Sequence, residues 1–176
     1  MFRYAAIYGA IAGTVIIAIL AAGFTALSDQ EFTTSQWFGY LVMLVILSLI
    51  FVGVKRFRDV ECGGVIGFGR AFGLGLSIAT IAGVFYVLSW EVFIALTDYA
   101  FIEQYFAVMT DTAEALSEAE RNAQLIEIER FKETYSYPLF RLPMTFLEIF
   151  PVGLGVALVS ALLLRNPRFL PARTAA

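Results

Sequence analysis

Four apolar stretches, approximately 4–27, 36–54, 71–97 and 142–164, dominate this chain and leave little choice of solvent for it. Each is close to the ~20 residues that cross a ~30 Å hydrocarbon core at about 1.5 Å of rise per residue. A very apolar soluble bundle would need polar helix faces, and residues 41–54 (LVMLVILSLIFVGV) offer none. The balance of residues agrees: 60% are hydrophobic and 15% charged, against about a quarter charged in a soluble domain. The expected fold is all-α. It is a four-helix transmembrane bundle forming a single integral membrane domain over residues 1–176, with one or two amphipathic helices between spans three and four.

The charges between the spans alternate in sign. Arg3, then Lys55, Arg56, Arg58 and Arg70, then Arg165, Arg168 and Arg173 mark the chain start, the second connection and the chain end. The other two connections are mainly acidic, beginning with Asp29 and Glu31. Lys and Arg gather on the cytoplasmic side of membrane proteins, so both termini are expected inside and the 98–141 segment outside. The run from Tyr4 to Leu27 exceeds a secretory h-region, and no convincing small-x-small cleavage site follows it, so it reads as a retained first span.

Several chemistries are excluded by residue type. Cys62 is the only cysteine and there is no histidine. An internal disulfide, zinc sites built on Cys and His, and Ser-His or Cys-His catalytic pairs therefore cannot form. A net charge of −3, with basic residues spread over three short segments, gives no nucleic-acid footprint. No catalytic, cofactor-binding or metal-ligating residue is expected, and no cofactor.

The connections differ in character. SDQEFTTSQ is a short polar turn, followed by Trp37, which suits an interfacial anchor. Span two ends at Lys55, and KRFRDVECGGVIGFGRAFGLG follows with six glycines: Gly63, Gly64, Gly67, Gly69, Gly73 and Gly75. A re-entrant or interfacial turn leading into span three fits this segment. A phosphate loop does not, because neither GxxxxGK[ST] nor a surrounding βαβ pattern is present.

Between spans three and four, Phe101, Ile102, Tyr105, Phe106 and Met109 recur at helical spacing, as do Leu116, Ala119, Ala123, Ile126 and Phe131. Ser117 followed by Glu120 predicts a capping box that restarts a helix. The amphipathic helices are expected to lie on the outer membrane surface or cap the bundle. Tyr137-Pro138 and Pro143 bound the entry into span four, and the tail NPRFLPARTAA is expected to fray.

Two acids fall inside the predicted spans, Glu91 and Glu148. A charge at the bilayer centre costs roughly 2.5–3.5 kcal/mol on insertion scales, so such groups are expected to face the protein interior. Each lies six or seven residues inward, on the order of 10 Å, where they approach each other if spans three and four are neighbours. No Lys or Arg occupies that depth; Arg141 is the nearest basic residue. Pro151 cannot donate to the Leu147 carbonyl and opens a polar defect beside Glu148. Such a defect with a protonatable acid suits an ion path. The simpler reading is that these acids bond locally or to Arg141 and lock helices together. Gly9-x-x-x-Gly13 and Gly69-x-x-x-Gly73 match small-residue packing motifs, expected to join spans within one chain, and Gly155 shares a face with Glu148.

GVKRFRDVECGGVIGFGRAFGLGL, Trp90, Glu103-Gln104-Tyr105 and YSYPLFRLPMTFLEIFPVGLGVALVSALLLR together resemble the DUF4199 family of small bacterial membrane proteins. The resemblance covers nearly the whole chain and implies a bacterial inner-membrane location without implying an activity. It also implies that Arg58, Asp59, Gly64, Phe68, Glu148 and Pro151 belong to the family's pattern. The Pro-containing tail departs from the short Lys/Arg ending of other members.

Three functional classes compete. A structural or interaction protein would bind a protein partner or a second copy through its outer helices or basic loop. Arg58 and Asp59 would then hold the glycine-rich loop, and Lys55, Arg56 and Arg58 would meet anionic headgroups. A transport subunit would cycle protons or cations at Glu91 and Glu148, but four spans without an internal repeat are few for a carrier. An enzyme would have only carboxylates to work with and lacks a nucleophile-base pair, a metal cluster and a cofactor motif. The expectation is a non-enzymatic protein whose membrane partners are lipids.

Overall fold

In the computed structural model the described residues, 1–26, 36–114 and 116–172, form seven helices and no strand. These are α1 (Phe2–Ala26), α2 (Gln36–Leu47), α3 (Leu49–Glu61), α4 (Phe68–Leu96), α5 (Ala100–Glu114), α6 (Glu118–Ser136) and α7 (Pro138–Leu164). Four segments are long and apolar enough to cross a membrane: Phe2–Ile19, Gly39–Glu61, Phe68–Leu96 and Pro138–Leu164. No more than half of any of them is buried within the chain. Leu44, Val52, Leu88 and Leu147 are among the large apolar side chains left exposed, which suits lipid as the surrounding solvent. Asp29 and Glu31, the polar turn that holds them, the Trp37 side chain and Arg173 lie outside the described residues or side chains.

Span two is assembled from α2 and α3. Ser48 between them keeps helical angles (φ −59°, ψ −17°), and its Oγ donates to the Val45 carbonyl at 2.6 Å. Bonds from Ser48 N to Leu44 O and from Val52 N to Ser48 O carry the helical pattern through it. The span then continues to Glu61, so Lys55, Arg56, Arg58 and Asp59 occupy its last two turns rather than a loop. The expected end at Lys55 is therefore too early. Charged residues extend an amphipathic last turn as readily as they end a span, and they gave no stop signal of their own.

A turn does lead into span three, and it is shorter than the glycine-rich segment. The connection runs only from Cys62 to Gly67, and Gly69, Gly73 and Gly75 lie inside α4. Gly63 (φ +60°) and Gly64 (φ +86°) make the reversal, a left-handed conformation that other residues resist. Gly64 N and Cys62 N both donate to the Arg58 carbonyl, at 3.0 and 3.2 Å, which closes the helix.

The described chain divides into two compact units, residues 1–89 with 146–176, and residues 90–145. In the first, α1, α2 and α3 pack on one another. Ala12, Ile16, Leu47, Ile50, Leu74, Ile78, Ala157 and Ala161 are fully enclosed. Backbones approach closely at small residues. A Cβ on Gly13 would lie 2.3 Å from the Ala82 carbonyl oxygen, and one on Gly83 would lie 2.6 Å from the Phe146 ring. Gly75 faces Ala157 and Gly153 faces Ala79, each at 3.0 Å from the added carbon to the alanine Cβ. The Gly9/Gly13 pair thus joins α1 to α4 within the chain, as expected. Gly69, Gly73 and Gly155 meet nothing within 4 Å, so the same expectation fails for them.

In the second unit α5 packs on α6 around Phe106, Ala113 and Ile128, with Ile102, Met109, Leu125, Phe131 and Tyr135 against them. Of the α5 stripe Ile102, Phe106 and Met109 pack inward as expected, Tyr105 is exposed, and the Phe101 side chain lies outside those described. Of the second expected stripe Phe131 packs against this core, and the rest is out of phase. Leu116, Ala119, Ala123 and Ile126 are exposed, and Leu125 and Ile128 take the inner positions. Two helical registers fitted the short run, and only the partner helix selects between them. Ser117 does precede α6 with an extended backbone (φ −61°, ψ 154°) but makes no side-chain cap bond. Its Oγ donates to Glu120 Oε2 instead, at 2.5 Å.

Helix α7 begins at Pro138, four residues before the expected start, and runs unbroken through Pro143 and Pro151. Proline at the first position needs no donor, whereas the two inner prolines each remove one helical bond. The close approach of α1 and α4 predicts that Gly13→Val lowers the thermal stability of the full chain in detergent by about 1–3 kcal/mol. Gly155→Ala, placed in open space, is expected to leave the melting temperature unchanged or raise it slightly.

Candidate functional site

The most elaborate polar cluster belongs to the second unit and is centred on Glu91 and Arg141. Glu91 lies near the end of α4 and Arg141 in the first turn of α7. Arg141 Nε donates to Glu91 Oε1 at 2.7 Å and Arg141 Nη2 to Glu91 Oε2 at 2.6 Å, a two-pronged pair. The remaining nitrogen, Nη1, donates to the Tyr135 carbonyl at 3.2 Å, with Ser136 O at 3.5 Å. The guanidinium carbon stands 5.8 Å from the ring centres of both Tyr99 and Tyr135. Trp90 Nε1 donates to the Tyr135 hydroxyl at 3.0 Å. The Arg141 side chain is 4% exposed and that of Glu91 25%. Arg fits this position because its planar fork matches a carboxylate on one edge while its face covers an aromatic ring.

Backbone strain sits beside the pair. Asp98 and Tyr99, in succession, hold left-handed angles (φ 48° and 61°) where α4 ends. Tyr99 N donates to Ile94 O at 2.9 Å, closing the helix. Each non-glycine residue in this conformation costs roughly 1–2 kcal/mol. The turn delivers the Tyr99 ring to the Arg141 guanidinium, an interaction that offsets part of the cost.

The simpler of the two readings for Glu91, that it bonds to Arg141, is what the structure contains. Depth counted from a span edge at residue 142 put Arg141 above the acid. Helix α7 begins at Pro138 instead, which places Arg141 three residues into its helix and within reach of Glu91, five residues before the end of α4.

Glu148 belongs to the first unit. It lies roughly 15 Å along α7 from Pro138 and roughly 24 Å from Leu164. It accepts a hydrogen bond from the hydroxyl of buried Tyr86, and it carries no ion pair among the described residues. More than a third of Glu148 is exposed, as are Pro151 and Gly155 on the same helix, while its carboxyl is turned to buried Tyr86, so the expected interior-facing acid is found in part. Pro151 leaves the Leu147 carbonyl without its helical donor.

The third cluster is at the basic end of the first unit. Arg58, fully enclosed, donates through Nε to Asp59 Oδ1 at 2.7 Å. Its Nη1 and Nη2 donate to the carbonyls of Phe169 and Leu170, at 2.9 and 2.5 Å. Lys55 Nζ lies 2.5 Å from Asp59 Oδ2. Tyr4 donates to Glu61 at 3.0 Å and meets Phe57 edge-on, and Arg70 lies over the Phe57 ring. The Phe169 ring meets Phe51 edge-on.

Residues 169–172 are therefore tied back as a strap, and the expected fraying is corrected for them. A short polar sequence with two prolines carries no sign of the distant cation that orders it. Arg58 and Lys55 are both engaged by Asp59 within the protein. Gly63 and Gly64 have conformational roles, and Gly67 and Gly69 face open space. Sequence reasoning missed Tyr86, Tyr99, Tyr135 and Phe169. Tyr137 and Tyr135 bracket the quoted YSY run, but nothing in it distinguishes a ring that covers a guanidinium from one that packs.

The sequence model of the family described as "Protein of unknown function (DUF4199)" matches residues 7–166, and the chain belongs to that family. No curated protein and no solved structure matches it. The match ends before the strap residues that contact Arg58.

The enclosed pair makes a direct prediction. Arg141→Leu strands the Glu91 carboxylate and is expected to cost about 3 kcal/mol. Combining Glu91→Leu with Arg141→Leu is expected to recover at least half of that loss. Both are read as melting temperatures of the full chain in the same detergent.

Proposed function

We propose that this DUF4199 protein is a non-enzymatic membrane module that holds the α5–α6 hairpin outside the bilayer for a protein partner. In this reading it resides in a bacterial inner membrane with both termini in the cytoplasm, in keeping with its basic ends. The observation that carries the proposal is the Glu91–Arg141 pair. An intramembrane acid committed to an arginine fork locks helices and is not available to relay ions. The hairpin has its own small core, yet Tyr105, Val108, Leu116 and Ile126 remain exposed among acidic side chains. Aromatic and aliphatic anchors of this kind suit a partner surface with basic character at its rim.

The test is a photo-crosslinking residue placed in turn at Tyr105, Val108 and Ile126 of the full chain in cells. A discrete adduct at one or more of these positions, absent when the probe replaces lipid-type Leu88, is the expected result. Lack of any adduct in normally inserted protein would remove the partner reading.

Glu148 favours a second reading, a subunit of a proton or cation pathway, because it is exposed and unpaired by any cation among the described residues. Proteoliposomes distinguish the two. The structural reading expects the same background proton and cation flux for the wild type and Glu148→Gln. A wild-type flux abolished by that change would establish the pathway instead.

A further inference from the structure

Arg58 presents an arrangement that neither the hairpin reading nor the family assignment uses. Its guanidinium is fully enclosed, and its two terminal nitrogens point at two neutral oxygens, the carbonyls of Phe169 and Leu170. Parallel N–H donors of an arginine match the oxygens of a phosphate or carboxylate in the same way, and an ionised acceptor makes such bonds roughly twice as strong. The strap's carbonyls thus stand where two oxygens of an oxyanion would bind.

Among the described residues, side-chain packing adds to these bonds at two places. The Phe169 ring meets Phe51 edge-on, and Ala172 lies against Gly64, where an added Cβ would come within 3.2 Å of the alanine carbon. Leu170 takes a left-handed angle (φ 48°) and is half exposed, so closing the strap costs backbone strain. The acid at the fork, Asp59, is engaged by both Lys55 and Arg58. Two cations against one carboxylate leave this group with a net positive charge. Exposed apolar side chains at the same end of α3 and α4, Val60, Val65 and Phe68, suit the boundary between acyl chains and headgroups.

We propose that a phosphate oxyanion competes with the strap for the Arg58 fork, and that the phosphate of an anionic phospholipid displaces residues 169–172. The fork exchanges two carbonyl acceptors for two phosphate oxygens, Asp59 keeps its bond to Nε, and the strap swings free. Anionic lipid thereby controls what the basic end of the protein displays.

The native cysteine supplies the readout. Cys62 lies two residues from Gly64, so Ala172→Cys in the full chain creates a pair that a short bis-maleimide can join when the strap is closed. In nanodiscs of zwitterionic lipid the cross-link is expected to form readily. In discs containing phosphatidylglycerol its yield is expected to fall by about fivefold. Inorganic phosphate added to zwitterionic discs separates the sources: a comparable fall identifies free phosphate as sufficient, and no fall assigns the effect to the lipid. Arg58→Gln is expected to give a low yield that no longer responds to lipid. Phe169→Ala, which keeps the fork but loses the ring contact, is expected to open at a smaller fraction of anionic lipid. A yield that neither anionic lipid nor phosphate changes overturns the proposal. So does a lipid response that survives in Arg58→Gln, or opening of Phe169→Ala at the same or a higher lipid fraction.

Discussion

Close backbone approach between α1, α4 and α7 is the constraint on which the membrane-type unit rests. Lipid tails are as apolar as leucine, so burying a leucine between two helices gains little over leaving it in the bilayer. What remains is dispersion at short range, and that requires small residues where the helices cross. Gly13 lies against the Ala82 carbonyl, Gly83 under the Phe146 ring, and Gly75 and Gly153 against alanines. The fully enclosed side chains Ile50, Leu74 and Ile78 fill the space around these contacts. Where no partner approaches, as at Gly69, Gly73 and Gly155, the same residue type leaves only an open face.

Polar groups act against this background as local ties. Arg141 and Arg58 are both nearly or fully enclosed, and each uses its whole guanidinium. Arg141 spends it on a carboxylate, two carbonyls and two rings; Arg58 spends it on a carboxylate and two carbonyls. Enclosing a cation is costly unless every donor finds an acceptor, so each arginine enforces the geometry of everything around it. The strained Asp98–Tyr99 turn and the left-handed Leu170 are the backbone adjustments that bring the acceptors and rings into reach. Glu148 follows a different rule. It bonds to the Tyr86 hydroxyl and joins no ion pair among the described residues, and so it keeps the latitude that a locked acid lacks.

The apolar runs, the lone cysteine and the lack of histidine were legible without coordinates, because each depends on composition along one segment. Four spans and the helix start after Ser117 follow from local rules, and the structure contains them. The phase of α6 did not follow. Leu125 and Ile128, or Ala123 and Ile126, make equally good stripes until α5 is present to bury one of them. The end of span two was similarly ambiguous, because Lys55, Arg56 and Arg58 are good helix formers as well as interfacial charges.

What the chain determined by itself was the solvent it requires and the residues that are out of place there, since transfer into hydrocarbon is a property of each side chain taken singly. What only the tertiary structure decided was the fate of those residues. Glu91 became half of an ion pair and Arg58 became the anchor of residues separated from it by more than a hundred positions. Pairing is a matter of distance and direction between segments, and no single stretch of sequence carries that information.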